Sequence, residues 1–369
     1  MAEKKSRRPR SNDRPPRRKE KAPLYAAVDL GTNNCRLLVA APHRGGFTVV
    51  DSHSQIARLG EGLAQTGRLS EPAMNRAYNA LDAIAKKLKA RRVGRIRCIA
   101  TEACRKAENG GEFIQTIQER TGLSFKVIGA QEEARLALIG CHNLIHPKAE
   151  HILVLDIGGG STELSLVDAA KARELGLKGM LHKPPIKAWT SIPLGVVTLT
   201  EAFSHLDEAE AYPQMLEKAK DYVERWAEKH GVREALSSET AHIIGTSGTV
   251  TCVAGVYFGL ERYRRDLVDG KWMSHEGCHA TMTELIEAGP EGRADFPTIG
   301  EDRAGLMLAG CALVEAVWAL APQARMRVAD RGLREGLLLS MMRGPKKRRR
   351  RRGGRRNRKA GPATEVEAG

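Results

Sequence analysis

Two stretches decide the fold of this chain: ILVLDIGGGSTE at residues 152–163 and LYAAVDLGT at residues 24–32. Each is an apolar run that ends in an aspartate, an apolar residue and a glycine, followed by small polar residues. A short apolar run bounded by turn residues is typical of a buried strand. The two aspartates, Asp29 and Asp156, lie 127 residues apart. An internal repeat at this separation indicates two related domains, each of which presents a glycine turn to a shared cleft.

Strand-like and helix-like patterns alternate through the rest of the chain. We predict strands at 36–41, 47–57, 97–100, 125–128, 162–167, 188–192 and 243–244, helices at 71–88, 113–120, 131–145, 208–229, 304–320 and 334–342 and from 250 onward, and a loop insertion that ends at Pro184 and Pro185. The first long helix begins after Ser70, a residue that favours the N-cap position. Alternation of strands and helices indicates an α/β fold.

The net charge of +16 is concentrated at the two ends of the chain. Residues 1–22 contain ten Lys and Arg against three Asp and Glu, residues 343–369 contain twelve against two, and 38 basic and 39 acidic residues lie between them. Dense like charge with few apolar residues is typical of disorder. We therefore expect disordered basic tails at 1–22 and 343–369, domain I at 23–129 and domain II at 130–342, with the last helices packing on domain I as an alternative. Such tails bind polyanions by counterion release, so we expect non-specific RNA or polyphosphate binding, with a purely solubilising role as the alternative.

The composition excludes several classes of protein. The chain has 369 residues, of which 41% are hydrophobic and 4% aromatic, and it has no apolar run of the length that spans a membrane. The seven cysteines are odd in number and form no Cys-x-x-Cys pair, which disfavours a disulfide framework or a structural zinc site. We expect a cytoplasmic protein that does not contact membranes, and the sequence leaves a homodimer as an open alternative.

The glycine triplet of the second stretch has the chemistry of a phosphate loop. Gly158, Gly159 and Gly160 let the backbone turn tightly, and their amides can converge on phosphate oxygens. Ser161 and Thr162 add hydroxyl donors. The flanking carboxylates, Asp156 and Glu163, are oxygen ligands of the kind that Mg²⁺ prefers.

Two other turns follow the same logic. The first stretch again combines an aspartate, a glycine and polar side chains, and a third turn lies between a predicted strand and a predicted helix, where a helix N-terminus can meet an anion. The candidate phosphate-binding residues of these two turns are Asp29, Gly31, Thr32, Asn33, Gly245, Ser247, Gly248 and Thr249.

Three spaced turns of this kind resemble the phosphate and nucleotide motifs of the actin-like ATPase superfamily. Over roughly residues 26–339, the chain is similar to one branch of it, the exopolyphosphatase and guanosine pentaphosphate phosphatase (Ppx/GppA) family. The resemblance is carried by segments 29–34 and 156–163, RLGEGL at 58–63, TEACR at 101–105, GAQEEAR at 129–135 and DRGLREG at 330–336. It implies two ribonuclease-H-like domains with an interdomain active-site cleft.

The resemblance also implies roles for individual residues. The family's catalytic glutamate directly precedes Ala-Arg, which makes Glu133 the general base that activates water. Its signature arginine corresponds to Arg105, which would bind phosphate oxygens. The family associates Asp156 and Glu163 with magnesium, so the expected cofactor is Mg²⁺. The expected substrate is inorganic polyphosphate, with guanosine pentaphosphate (pppGpp) as the alternative.

Two hypotheses from other classes remain beside this one. A kinase of the same superfamily would phosphorylate a small acceptor, and a non-catalytic polyanion-binding or alarmone-binding protein would bind without releasing phosphate. The first turn reads GTNNC where members of the family commonly have Gly-Ser-Asn-Ser, and a basic tail replaces the C-terminal helical extension of longer members. The sequence therefore resembles the short, two-domain form of the family.

Overall fold

The computed structural model describes residues 23–343, so the two predicted basic tails lie outside the described residues except for Arg343. The elements of the first half are β1 (Tyr25–Leu30), β2 (Asn34–His43), β3 (Gly46–Ile56), α1 (Leu63–Thr66), α2 (Glu71–Ala90), β4 (Arg95–Ala100), α3 (Glu102–Lys106), α4 (Gly110–Thr121) and β5 (Phe125–Val127). Those of the second half are α5 (Ala130–Cys141), β6 (His151–Ile157), β7 (Thr162–Asp168), α6 (Ala169–His182), β8 (Ile186–Ile192), α7 (Val196–Ala202), α8 (Glu208–His230), α9 (Val232–Ala235), β9 (His242–Thr246), α10 (Gly248–Tyr257), α11 (Arg265–Val268), β10 (Trp272–Met273), α12 (His275–Glu287), α13 (Gly289–Asp295), α14 (Glu301–Trp318), β11 (Arg325–Ala329) and α15 (Leu333–Arg343).

The two halves repeat one sheet topology. The first sheet has the strand order β3-β2-β1-β4-β5, in which β1 and β2 are antiparallel and β1 and β4 are parallel. The second sheet has the order β8-β7-β6-β9-β11-β10, in which β6 and β7 are antiparallel and β6 and β9 are parallel. The internal repeat predicted two related domains and the family resemblance implied that they are ribonuclease-H-like, and this α/β fold is confirmed.

Apolar side chains of the central strands form a core on each sheet. All six residues of β1 are buried, and on one face of the first sheet Val28 and Leu37 pack with Leu81 and Phe113 from its covering helices. The largest core lies on one face of the second sheet, against α8, α10, α12 and α14. Fully buried apolar strands of this kind are expected where helices cover both faces of a sheet.

Helices α5 and α15 cross between the two sheets at two glycines. A Cβ added to Gly140 would lie 2.0 Å from the carbonyl oxygen of Gly332, and one added to Gly336 would lie 2.0 Å from that of Leu136. Neither position has room for a side chain, so the two backbones approach as closely as glycine permits. Helix α15 also packs on β1 through its buried leucines. The predicted domain boundary at 129/130, just before α5, stays a prediction.

One segment differs from its prediction. Residues 169–182, which the sequence suggested were part of a loop insertion, form α6. The Oδ1 atom of Asp168 accepts a hydrogen bond from the amide of Lys171 at 2.7 Å and caps this helix, and Gly176 interrupts it with a φ of 56°. The predicted helix 131–145 ends at Cys141 and continues as a short 3-10 turn, His142–Leu144. Within residues 23–343, no helix is both long enough and apolar enough to cross a bilayer.

Candidate active site

A cleft of about 510 Å³ lies between the two sheets and brings the three predicted turns together. The predicted site residues that line it are Asp29, Gly31, Thr32, Asn33, Glu133, Asp156, Gly158, Gly159, Gly160, Ser161, Ser247, Gly248 and Thr249. Two of these turns follow the first strands of the duplicated sheets, β1 and β6, and the third follows β9. The carboxyl ends of sheet strands are where open α/β folds commonly bind ligands.

The glycine turn after β6 is oriented by α7. The carbonyl oxygens of Gly158 and Gly159 accept hydrogen bonds from the amides of Val196 and Val197 at 3.0 and 2.8 Å. In a trans peptide the N–H points opposite to the C=O, so the amides of Gly159 and Gly160 point away from α7. Amides in this orientation can converge on an anion.

The turns of the two halves touch at the floor of the cleft. A Cβ on Gly159 would lie 3.0 Å from the Cβ of Thr32 and 3.1 Å from the amide nitrogen of Asn33. A Cβ on Gly160 would lie 2.9 Å from the Oγ1 of Thr32. Glycine is therefore needed here because the opposing backbone is so close.

The third turn is the N-terminus of α10. The Oγ of Ser247 accepts a hydrogen bond from the amide of Val250 at 3.1 Å and so caps the helix. Gly248 begins the helix and borders the cleft together with Thr249. A helix N-terminus carries partial positive charge, which favours an anion at this wall of the cleft.

Glu133 lies in the first turn of α5, with 9% of its surface exposed. Its Oε2 atom is 3.5 Å from Nη1 of Arg105 and has no hydrogen-bond partner within residues 23–343. Burial raises the pKa of Glu133 well above its usual range, and the nearby carboxylates of Glu163 and Asp156 raise that pKa further. A carboxylate with a raised pKa is suited to accept a proton near neutral pH.

Arg105 is fixed on three sides. Its Nη1 donates a hydrogen bond to the carbonyl oxygen of Ile128 at 2.5 Å and approaches Glu133, while its Nη2 forms an ion pair with Glu102. The guanidinium carries five N–H donors, so others remain for phosphate oxygens. The structure thus brings Arg105 and Glu133 together, as expected for a shared site.

Asp156, which lines the cleft, and Glu163, which lies beside it on β7, fit a divalent cation. Asp156 and Glu163 lie opposite each other in the β6–β7 pairing, and burial together with their mutual repulsion raises the pKa of Asp156 to about 8. The Oε1 of Glu163 accepts hydrogen bonds from the hydroxyls of Ser161 and Ser191 at 2.8 and 2.7 Å. The Oδ1 of Asp29 is buried and has no hydrogen-bond partner in the described part of the chain.

Protein side chains alone do not complete a metal site here. Between residues 23 and 343, no group of three or more His, Cys, Asp and Glu side chains is arranged to hold a metal ion. Mg²⁺ commonly takes one or two carboxylates, with waters and substrate phosphates as its other ligands. Two repelling carboxylates beside an unpartnered buried oxygen fit that chemistry.

Two predicted phosphate-binding residues do not reach the cleft. The hydroxyl of Thr162 is fully buried and donates to the carbonyl oxygen of Leu194 at 2.7 Å. Gly245 lies inside β9, where a Cβ would be 2.7 Å from the sulfur of Met326. Both residues therefore support the turns from behind and do not offer donors to a ligand.

The cleft also contains cations that the sequence analysis did not identify. Arg36, Arg303 and Arg334 all line it, and like-charge repulsion from Arg334 and Arg303 adds to burial in lowering the pKa of Arg36. Arg36 lies directly opposite Asp29 in the β1–β2 pairing. A signal for Arg36 was present, because it follows Asp29 by seven residues just as Glu163 follows Asp156. Arg303 and Arg334 lie outside the three turns.

The duplicated sheets, the three turns and the interdomain cleft define a two-domain protein of the actin-like ATPase class. The model of the Ppx/GppA phosphatase family matches residues 38–344. The chain belongs to the Ppx/GppA phosphatase family, a family of hydrolases.

Individual relatives agree with this assignment. A protein of Haemophilus influenzae that is provisionally named an exopolyphosphatase is 26% identical over 317 residues, which cover 86% of this chain and 90% of that protein. The crystal structure of the Ppx/GppA family member of Aquifex aeolicus is 26% identical, covers 87% of this chain and 97% of its own, and has a TM-score of 0.69. An exopolyphosphatase structure from Cytophaga hutchinsonii shares the fold, with 22% identity, 88% and 99% coverage and a TM-score of 0.75.

Proposed function

We propose that this protein is a cytoplasmic, Mg²⁺-dependent exopolyphosphatase that releases the terminal phosphate of inorganic polyphosphate. One observation carries the proposal: Glu133 lines the same cleft as the three phosphate-type turns, and its Oε2 atom has no hydrogen-bond partner in the described residues and lies 3.5 Å from Arg105. A buried carboxylate beside amides that can bind an anion has the position of a general base for attack on a bound phosphate. The Haemophilus influenzae relative, provisionally named an exopolyphosphatase, supports the same substrate class.

The chain's own groups each have a role in the reaction. The amides of Gly159 and Gly160 and the guanidinium of Arg105 bind the terminal phosphate and neutralise part of its charge. Glu133 orients a water and takes its proton on Oε2. The water oxygen forms a bond to the terminal phosphorus, the bridging P–O bond breaks, and its electron pair leaves with the shortened chain.

Asp156 and Glu163 are the residues that would hold Mg²⁺, with Asp29 beside them. When bound, Mg²⁺ would neutralise charge on the transferring phosphate and on these carboxylates. Without it, the phosphate chain would meet the repelling pair directly, which is why we include the cation in the proposal.

A specific feature favours pppGpp as the second candidate substrate. The cleft wall includes Tyr263, Leu306 and Met307, and Tyr263 remains 38% exposed. An exposed aromatic ring beside apolar side chains suits a nucleoside, whereas a bare phosphate chain gains little from it. Arg36 and Arg303 on the same wall suit either polyanion.

The decisive experiment measures phosphate release with Mg²⁺ from polyphosphate and from pppGpp. Wild type is compared with Glu133→Gln and with Glu132→Gln, a matched control whose side chain pairs with Arg135. Loss of a general base is expected to lower release by about 10²–10⁴-fold, while Glu132→Gln retains it. The faster substrate identifies the activity. Binding of both substrates without release from either would overturn the hydrolase proposal in favour of a polyanion-binding protein.

The basic ends of the chain lead us to propose that they bind polyanions. Their charge favours capture of polyphosphate or RNA outside the cleft, through counterion release. Binding of polyphosphate or RNA by the full chain should then weaken steeply as salt is raised, and a salt-independent affinity would contradict this role.

A further inference from the structure

Glu102 is a carboxylate in a cleft that should favour anions. It begins α3, has 8% of its surface exposed and borders the cleft. Five other acidic side chains line the cleft, at Asp29, Glu133, Asp156, Asp330 and Glu335, and Glu102 itself raises the pKa of the nearby Glu163. A further negative charge opposes the binding of a polyphosphate. Glu102 therefore needs a function that outweighs its repulsion of the substrate.

The contacts of Glu102 show what that role is. One carboxylate oxygen, Oε2, forms an ion pair with Nη2 of Arg105, and the other, Oε1, lies 2.7 Å from Nζ of Lys106. The aliphatic part of the side chain lies against the glycine turn, since a Cβ on Gly160 would be 3.1 Å from its Cγ. Glu102 is therefore confined between the turn and Arg105.

Confinement of Glu102 also confines Arg105. With Nη2 tied to Glu102 and Nη1 to the carbonyl of Ile128, the guanidinium cannot rotate, and its Nη1 stays 3.5 Å from the Oε2 of Glu133. Charge-assisted hydrogen bonds to a planar guanidinium fix its orientation as well as its position. Arg105 would otherwise be free to follow the phosphate.

We propose that Glu102 is a positioning residue that holds Arg105 against Glu133 and so increases turnover at the expense of substrate affinity. The inference rests on the proposed function, because it concerns the same reaction. Glu102 orients Arg105 for the transition state and weakens the binding of Arg105 to the phosphate in the ground state. Interactions stronger in the transition state than in the ground state are those that raise kcat.

The test is a separation of kcat from KM in Glu102→Gln. This variant keeps the size of the side chain and removes its charge. We expect kcat with tripolyphosphate to fall about tenfold and KM to fall about threefold or more, since Arg105 is then free to bind phosphate tightly in an unproductive orientation. A purely structural role would lower thermal stability without moving kcat and KM in this joint pattern. Glu108→Gln is the matched control, because Glu108 is exposed and pairs with Arg68 outside the cleft.

The variant Glu102→Asp distinguishes the effect of the negative charge from the effect of side-chain length. The shorter side chain keeps the negative charge near the phosphate but withdraws it from Arg105. We expect its KM to stay within about twofold of wild type while kcat still falls. A Glu102→Asp variant with wild-type kcat would show that charge alone matters and would overturn the positioning role.

Direct binding distinguishes this inference from the proposed function. Calorimetry with tripolyphosphate on Glu133→Gln and on the double variant Glu133→Gln/Glu102→Gln needs no turnover. Tighter binding by the double variant, by about threefold or more, supports the affinity part of the inference, and this result stands even where wild type releases no phosphate and the hydrolase proposal fails. Equal or weaker binding overturns the inference. Where the enzyme is active, unchanged kinetic constants or a raised KM in Glu102→Gln overturn it as well.

Discussion

The β1–β2 and β6–β7 hairpins share one turn geometry but differ in charge at the residue that pairs with the aspartate. In each hairpin a glycine amide closes the turn on the carbonyl three residues later, Gly31 on Asn34 at 2.9 Å and Gly158 on Ser161 at 2.8 Å. The aspartate of the first hairpin lies opposite Arg36, whereas Asp156 lies opposite Glu163. The same position of the pairing therefore carries a cation in one half and an anion in the other.

This difference gives the two hairpins different electrostatic properties. In the first hairpin, the charge of Arg36 opposes the rise of the Asp29 pKa that burial causes. In the second, Glu163 adds to burial and raises the pKa of Asp156 to about 8. A neutralised pair can face a phosphate directly, but two adjacent carboxylates need a cation between them and the substrate. In the proposed function, the duplicated hairpin would thus supply an anion side at Asp29 and Arg36 and a metal side at Asp156 and Glu163.

The largest effect is expected from Glu163→Gln, which removes one negative charge from the metal side of the cleft. We expect phosphate release to fall by about 100-fold or more, because metal-based charge stabilisation contributes several kcal/mol to such reactions. The Mg²⁺ concentration for half-maximal activity should rise in the same variant. A normal Mg²⁺ dependence in Glu163→Gln would show that the second hairpin does not hold the metal.

The joint between the two halves is tested by Gly140→Ala. Its Cβ would meet the backbone of Gly332 where α5 crosses α15, so we expect a loss of about 2 kcal/mol in the free energy of unfolding, measured in urea. Gly305→Ala in α14 is the control, because no atom lies within 4 Å of its Cβ position and alanine favours a helix. Equal free energies of unfolding for the two variants would mean that α5 and α15 can move apart at their crossing without a loss of stability.

Arg36→Met changes the anion side alone. A buried charge-assisted contact is worth about 1.5–3 kcal/mol, so we expect KM for polyphosphate to rise about tenfold. The Mg²⁺ dependence should match wild type, in contrast to Glu163→Gln. If both variants shifted the Mg²⁺ dependence equally, the two hairpins would not differ in function.

The smallest expected effect is on the pH dependence of the free energy of unfolding, through a buried histidine of the second sheet. His242 begins β9 and is 2% exposed, and burial lowers its pKa to about 4 from a usual 6.5. The unfolded chain therefore binds the proton first, so the stability that the neutral ring provides is complete above about pH 6.5 and declines as the pH falls toward 4. Between pH 7 and pH 5 we expect a loss of about 2 kcal/mol in the free energy of unfolding, which His242→Phe removes. His205→Gln, at an exposed position, is the control and should retain the wild-type slope in urea unfolding.

The sequence predicted what depends on local patterns. Apolar runs marked β1 and β6, and small residues after them marked the turns, because tight turns and buried strands restrict residue type directly. The sequence did not predict α6, since Gly176 and Gly179 lower its helix propensity and the cap at Asp168 was not recognised. The repeat predicted an aspartate in each hairpin, but not that its partner would change sign.

Other parts of the site depend on contacts across the fold. Arg303 and Arg334 reach the cleft from α14 and α15, far from the turns in sequence, and surface arginines look the same in a sequence. Thr32 and Thr162 are both threonines of the glycine turns, yet one lines the cleft and the other donates to the carbonyl oxygen of Leu194. Tertiary contacts, which the local sequence does not show, distinguish these environments.

The floor of the cleft, where Gly159 meets Thr32 and Asn33, limits which part of a polymer reaches Glu133. Because the two turns touch, a substrate cannot pass between them at this point. If polyphosphate is the substrate, this contact favours entry of a free end over the interior of the chain. Cyclic phosphates and chains with both ends blocked should then resist cleavage.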